Sequence, residues 1–187
     1  VKYLILRNQQ GGQQAMHNDK ALGNAWFVSK LSIENSDNEV MQRLEDFNPQ
    51  QEALATLKDL KTPLPQQYTV DSTATISLKS YKPDVLEYES KNSNAGLAVF
   101  SEMYYPHGWK ATIDGKEVPI YQVDYTLRAL SVPAGNHQIR FAFEPEVVSI
   151  GSKIALVGYL LLAIWGAVII GGAIMIARGL RKQKVNQ

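Results

Sequence analysis

The sequence has 187 residues and is 45% hydrophobic, yet its mean hydropathy is −0.19, so the apolar residues must be concentrated in one part of the chain. The formal net charge of +1 hides an asymmetry: ahead of residue 178 there are 15 Lys and Arg against 18 Asp and Glu, a balance that gives no electrostatic support to nucleic-acid binding. Cysteine is absent, which excludes a disulfide framework and a structural cysteine-zinc site.

In chain order, residues 1–7 alternate weakly and suit a strand, and QQGGQQ and HNDK after them read as loop. The opening VKYLILRNQQ has no initiator Met, basic n-region or cleavage site. An upstream portion with preceding transmembrane helices is therefore expected. AWFVSKLSI, residues 25–33, suits a strand. Ser36-Asp37-Asn38-Glu39 has the spacing of a capping box, and Val40, Leu44 and Phe47 follow at helical spacing until Pro49 stops or restarts the helix. Residues 50–60 fit either helix or strand, and Thr62-Pro63-Leu64-Pro65 reads as a connector. Residues 1–66 are thus expected to form a short α/β portion.

From Tyr68 the period changes to two. In TATISLKSY, Ala74, Ile76 and Leu78 share one face and Thr73, Thr75, Ser77 and Lys79 the other, as in a half-buried strand. VLEYES, GLAVFSEMYY, GWKATID, EVPIYQV, TLRALSV and HQIRFAFEP follow, separated by segments rich in turn formers. Asp114-Gly115 predicts a type I′ hairpin joining residues 109–113 to 117–121. Strands at this density predict a sandwich or a barrel over residues 67–150, and an antiparallel β-sandwich is the expected form. The fold class is therefore mainly β, with one C-terminal transmembrane helix.

Residues 154–177 are 24 consecutive residues without a charge. At about 1.5 Å per residue they reach roughly 36 Å, enough to cross a bilayer. The membrane helix is expected over residues 151–178. Arg178, Arg181, Lys182 and Lys184 place four cations and no acid after the run. By the positive-inside rule, residues 179–187 are a cytoplasmic tail and residues 1–150 are extracytoplasmic. Lys153 stands alone at the other end, where its ammonium reaches the headgroups.

Little catalytic chemistry is visible. His17, His107 and His137 are far apart, with no metal-pair spacing, nucleophile elbow or phosphate loop. Each reads as a structural or surface histidine. Glu87 and Glu89 share a strand face, a pattern more typical of exposed acids than of a catalytic pair. Tyr104, Tyr105 and Trp109 cluster in YYPHGW, where aromatic faces either stack on sugar rings or pack in the core. In the span, Ala163, Ala167 and Gly171 recur at i, i+4 and i+8, a stripe that lets another helix approach closely or simply reflects the composition of membrane helices.

GNAWFV at residues 23–28, VFSEMYYPHGWKATIDGKEVPI at 99–120 and LRALSVPAGNHQIRFAFEP at 127–145 resemble the C-terminal region of bacterial YfhO-type multispanning membrane proteins. That family is similar to GT-C-type glycosyltransferases, which use a lipid-linked sugar donor and carry a catalytic acid in an early extracytoplasmic loop. The resemblance implies a non-catalytic external β-module and the last membrane helix of such an enzyme in the bacterial cytoplasmic membrane. No cofactor and no metal are expected. The expected partners are the bilayer, the preceding helices of the parent protein, and a cell-envelope glycan or lipid-linked sugar. Tyr104, Tyr105, His107 and Asp114 are the candidate glycan contacts, because they flank the most family-like run and fall at strand ends. The alternative is a structural or protein-interaction ectodomain on one membrane anchor, with no part in glycosyl transfer.

Overall fold

The structure, a computed structural model, describes residues 2–7, 12–60 and 62–185. Its contacts divide the chain into two compact units, Val1–Phe143 and Glu144–Gln187.

The first unit is built on two antiparallel sheets. One has five strands: β6 (Thr75–Tyr81), β7 (Val85–Asn92), β9 (Trp109–Ile113), β10 (Lys116–Val118) and β13 (Gly135–Phe143), in the order β10-β9-β13-β7-β6. The other has four: β3 (Ala25–Val28), β8 (Gly96–Met103), β11 (Tyr121–Val123) and β12 (Leu127–Val132), in the order β11-β12-β8-β3. The sheets close on a common core. Leu86, Tyr88, Ile139 and Phe141 from the first meet Phe27, Ala98, Phe100 and Leu130 from the second. At its centre Tyr88, Phe100 and Phe141 pack edge to face with ring centroids 4.9–6.0 Å apart, the geometry that aromatic quadrupoles favour. Strand β7 shows how the alternating sequence produces this arrangement. Leu86 and Tyr88 are buried, while Glu87, Glu89 and Lys91 face water.

Strand β8 behaves differently. Leu97, Ala98, Val99 and Phe100 are all buried, because the four-stranded sheet is covered on both faces. Leu97 and Val99 enter a second core with Val28, Leu31, Ala53, Ala55, Tyr121 and Val123. A small α/β unit supplies this cover: β4 (Lys30–Glu34), α1 (Asp37–Arg43) and β5 (Glu52–Thr56), with β4 and β5 paired in parallel. Glu52 ties it together, accepting from Lys30 at 2.8 Å and Arg43 at 3.0 Å and also from Ser32.

Several expected elements are divided or shortened. AWFVSKLSI is not one strand: Ser29 separates β3 from β4, and the amides of Ser29 and Lys30 both donate to the Gln51 carbonyl at 2.9 Å. EVPIYQV breaks at Pro119, which has no amide to continue a ladder, so β10 and β11 join different sheets. Helix α1 ends at Arg43, before Phe47. Ser36 caps the Glu39 amide at 3.3 Å as expected, but the Glu39 carboxylate reaches Asn35 and not Ser36. Residues 50–60 resolve into β5 and a 3₁₀ turn over Leu57–Asp59.

The Asp114-Gly115 hairpin forms with φ of +51° and +79°, the positive values that a type I′ turn requires. Its second strand is Lys116–Val118. At the start of the chain, β1 (Tyr3–Arg7) pairs antiparallel with β2 (Gln13–His17) in a separate ribbon. Part of the segment read as loop is thus strand.

The second unit contains α2 (Glu146–Val185), a continuous helix of 40 residues. It starts eight residues before the uncharged run and continues through the basic residues. Its Glu146–Gly172 stretch is long and apolar enough to cross a membrane.

Candidate functional site

The residues singled out in the sequence fall at opposite ends of β9. Tyr104, Tyr105 and His107 precede it, and Asp114 follows it. Five residue steps of extended chain separate Trp109 from Asp114, about 17 Å. This distance prevents a single sugar ring from touching both groups. The expected set of four glycan contacts is therefore two places.

At the first place, β8 and β9 are joined by the loop carrying Tyr104, Tyr105 and His107. The Tyr104 amide donates to the Thr126 carbonyl at 2.6 Å, and its half-buried ring packs on the sandwich core. Burial raises its phenol pKa, with nearby Asp59 adding to the effect. Tyr105 is 52% exposed and meets His107 edge to face, with centroids 5.5 Å apart. Trp109 is partly buried. The Arg128 guanidinium lies 4.2 Å from its ring centroid and 5.4 Å from that of Phe141.

Arg128 is only 3% exposed. Its Nε donates to the Met103 carbonyl at 2.7 Å, but among the described residues its Nη1 and the neighbouring Tyr88 hydroxyl have no hydrogen-bond partner. Burial lowers the arginine's pKa, opposed by the charge of Glu102. Stacking on Trp109 compensates part of the cost of burying this cation. Sequence reasoning missed Arg128. In TLRALSV it alternates onto the same face as Leu130 and Val132, both in the sandwich core, so its burial follows from the strand's own period although a charge is not expected on that face.

At the second place, Asp114 accepts from the Gln138 amide at 2.9 Å and contacts His137 Nδ1 at 2.6 Å. The other ring nitrogen faces the Ala134 carbonyl at 3.2 Å. Acceptors at both nitrogens favour the imidazolium, so Asp114 raises the His137 pKa, and His137 and the Gln138 amide lower that of Asp114. A ring held at both nitrogens fastens the β9–β10 turn to β13. His137 was read as isolated because its partner lies 23 residues away.

A third feature had no sequence signal beyond an acid between two short strands. Asp124 is 7% exposed and borders a pocket of about 780 Å³ also lined by Trp26, Phe47, Ser101 and Thr126. Its carboxylate accepts from the Leu54 amide at 2.8 Å, and its own amide donates to the Leu54 carbonyl at 2.7 Å. These bonds join the four-stranded sheet to β5. Burial pushes the Asp124 carboxyl up to about 7. Asp124 and Tyr125 have φ of +49° and +67°, an uncommon conformation for non-glycine residues.

On α2, Ala163 and Ala167 are exposed and Gly171 is half-exposed, with nothing within 4 Å of the position its Cβ would take. Among the described residues, no group of three or more His, Asp or Glu is placed to hold a metal ion.

Compared with known families, the chain matches the one described as bacterial membrane protein YfhO, over residues 12–155. The match covers both sheets, the α/β unit and the first turns of α2. No curated protein and no solved structure matches the chain.

Proposed function

The chain belongs to the YfhO family of bacterial membrane proteins, and from that premise we propose that it acts as a non-catalytic extracytoplasmic module on the last membrane helix of a glycosyltransferase that uses a lipid-linked sugar donor. The basic residues after the span support this orientation through the positive-inside rule. The small-residue face of Ala163, Ala167 and Gly171 docks on other helices of the parent protein, where small side chains permit close backbone approach.

The module's proposed part in the reaction is to hold an acceptor glycan or the lipid-linked sugar near the membrane. The single observation that carries this reading is the exposed Tyr105–His107 pair beside the Trp109–Arg128 stack. Ring faces suit the apolar side of a pyranose, and His107 offers nitrogen to its hydroxyls. Asp114 leaves this set, because it is engaged with His137 at the far end of β9. Each exchanged hydrogen bond contributes only about 1 kcal/mol net, so affinity is millimolar.

Amide NMR of isotope-labelled residues 1–145, titrated with lipid-linked sugar analogues and cell-envelope oligosaccharides, tests the site. The expected result is saturable shifts at residues 104–109 that disappear in Tyr105→Ala, with none at Asp114. Silence with every glycan would favour a purely structural or protein-interacting ectodomain.

A further inference from the structure

The β1–β2 ribbon displays apolar side chains that the sandwich does not cover. Tyr3, Leu4, Ile5, Leu6 and Met16 are each 41–72% exposed. Successive residues of a strand point to opposite faces, so Tyr3 and Ile5 lie on one face and Leu4 and Leu6 on the other. Met16 pairs with Leu4 and adds to the second face. Both faces of the ribbon are therefore apolar and open. An isolated two-stranded ribbon is marginal in water even without this surface. A groove in a protein partner would cover one face, whereas both are covered by immersion in a lipid interface.

The charges identify the kind of surface. Lys2 and Arg7 bracket β1, and the first acid in the sequence is Asp19. Residues 2–17 thus carry cations without acids, and Asp19 just past β2 is engaged with His17 at 2.7 Å, in a module that otherwise leans acidic, which complements anionic phospholipid headgroups. Tyr3, in edge contact with His17 at 5.2 Å, has the amphipathic ring that favours the headgroup level. The apolar helix of the same chain keeps a bilayer at high local concentration. Depth is limited by the unpaired backbone groups on the outer edges of the ribbon, which cannot enter hydrocarbon.

We propose that the β1–β2 ribbon is a second membrane contact, sinking Leu4, Ile5, Leu6 and Met16 into the boundary between headgroups and acyl chains of an anionic bilayer while Lys2 and Arg7 bind the headgroups. This requires only that the chain be membrane-anchored and is independent of glycan binding.

Because the chain lacks cysteine, Ile5→Cys and Leu6→Cys each create a single labelling site, one per face. The full chain is labelled with an environment-sensitive fluorophore and reconstituted in vesicles of equal parts phosphatidylcholine and phosphatidylglycerol. Both labels should emit at shorter wavelength than one at Glu117→Cys and be quenched several-fold more strongly by lipids brominated high in the acyl chain. Lys2→Gln with Arg7→Gln should reduce that quenching at least two-fold. Labels quenched by aqueous iodide as fully as at position 117 would overturn the proposal. So would a blue shift without lipid quenching, or lipid quenching on one face only, because each would indicate a protein partner instead.

Discussion

At the scale of single residues, two acids respond to pH in opposite senses. Asp114 is held below its usual range by His137 and the Gln138 amide, and its stabilisation is lost as pH falls through that lowered value. His137 is raised by Asp114, so its stabilisation is full below the unfolded histidine value and is lost as pH rises through the folded one. The pair therefore contributes most between about pH 4 and 6.5. His137→Gln should lower the denaturant midpoint in that window and differ less from the parent at pH 9. Asp124 behaves oppositely. Burial pushes its carboxyl to about 7, so the folded chain keeps a proton that the unfolded chain releases, and stability falls as pH rises from about 4 to about 7. Asp124→Asn retains an acceptor for the Leu54 amide and tolerates positive φ. It should remove this slope and raise the midpoint at pH 8. A variant weaker than the parent at pH 8 would show that the carboxylate is not penalised by burial. Neither acid's environment was legible in the sequence, because His137 and Leu54 reach them across 23 and 70 residues.

At the scale of elements, the hairpin at Asp114-Gly115 is the clearest case in which local sequence dictates geometry. Gly115 has φ of +79° and open space around its absent Cβ, so a substitution is costly only through the backbone. Gly115→Val should destabilise by roughly 1–3 kcal/mol, read as a lowered midpoint with unchanged slope in urea. The alternating strands β6, β7 and β13 were legible for the same local reason: one face meets the core and the other meets water. The breaks at Ser29 and Pro119 were not, since each lies inside an unbroken β-like run and is set by which sheet the next residues reach. The parallel pairing of β4 with β5 was likewise hidden, because Ala53, Leu54 and Ala55 are all buried and show no period. Of the candidate contacts, Tyr104, Tyr105 and His107 share the loop before β9. The length of β9 then separates Asp114 from it.

At the scale of the molecule, the two compact units have different solvents. The first buries its own aromatic core, whereas the described side chains of the apolar helix are largely exposed and suited to lipid. A fragment ending at Pro145 should therefore be soluble and melt in one cooperative transition, and aggregation without a transition would show that the β-module depends on the helix. The central claim is that this β-module stands outside the cytoplasmic membrane on a helix whose basic end stays inside. Single cysteines at Glu117→Cys and Lys184→Cys, probed in intact cells with a membrane-impermeant maleimide, measure it directly, because the chain has no cysteine of its own. The account predicts labelling at position 117 in intact cells and at position 184 only after permeabilisation; labelling at 184 but not at 117 would contradict it.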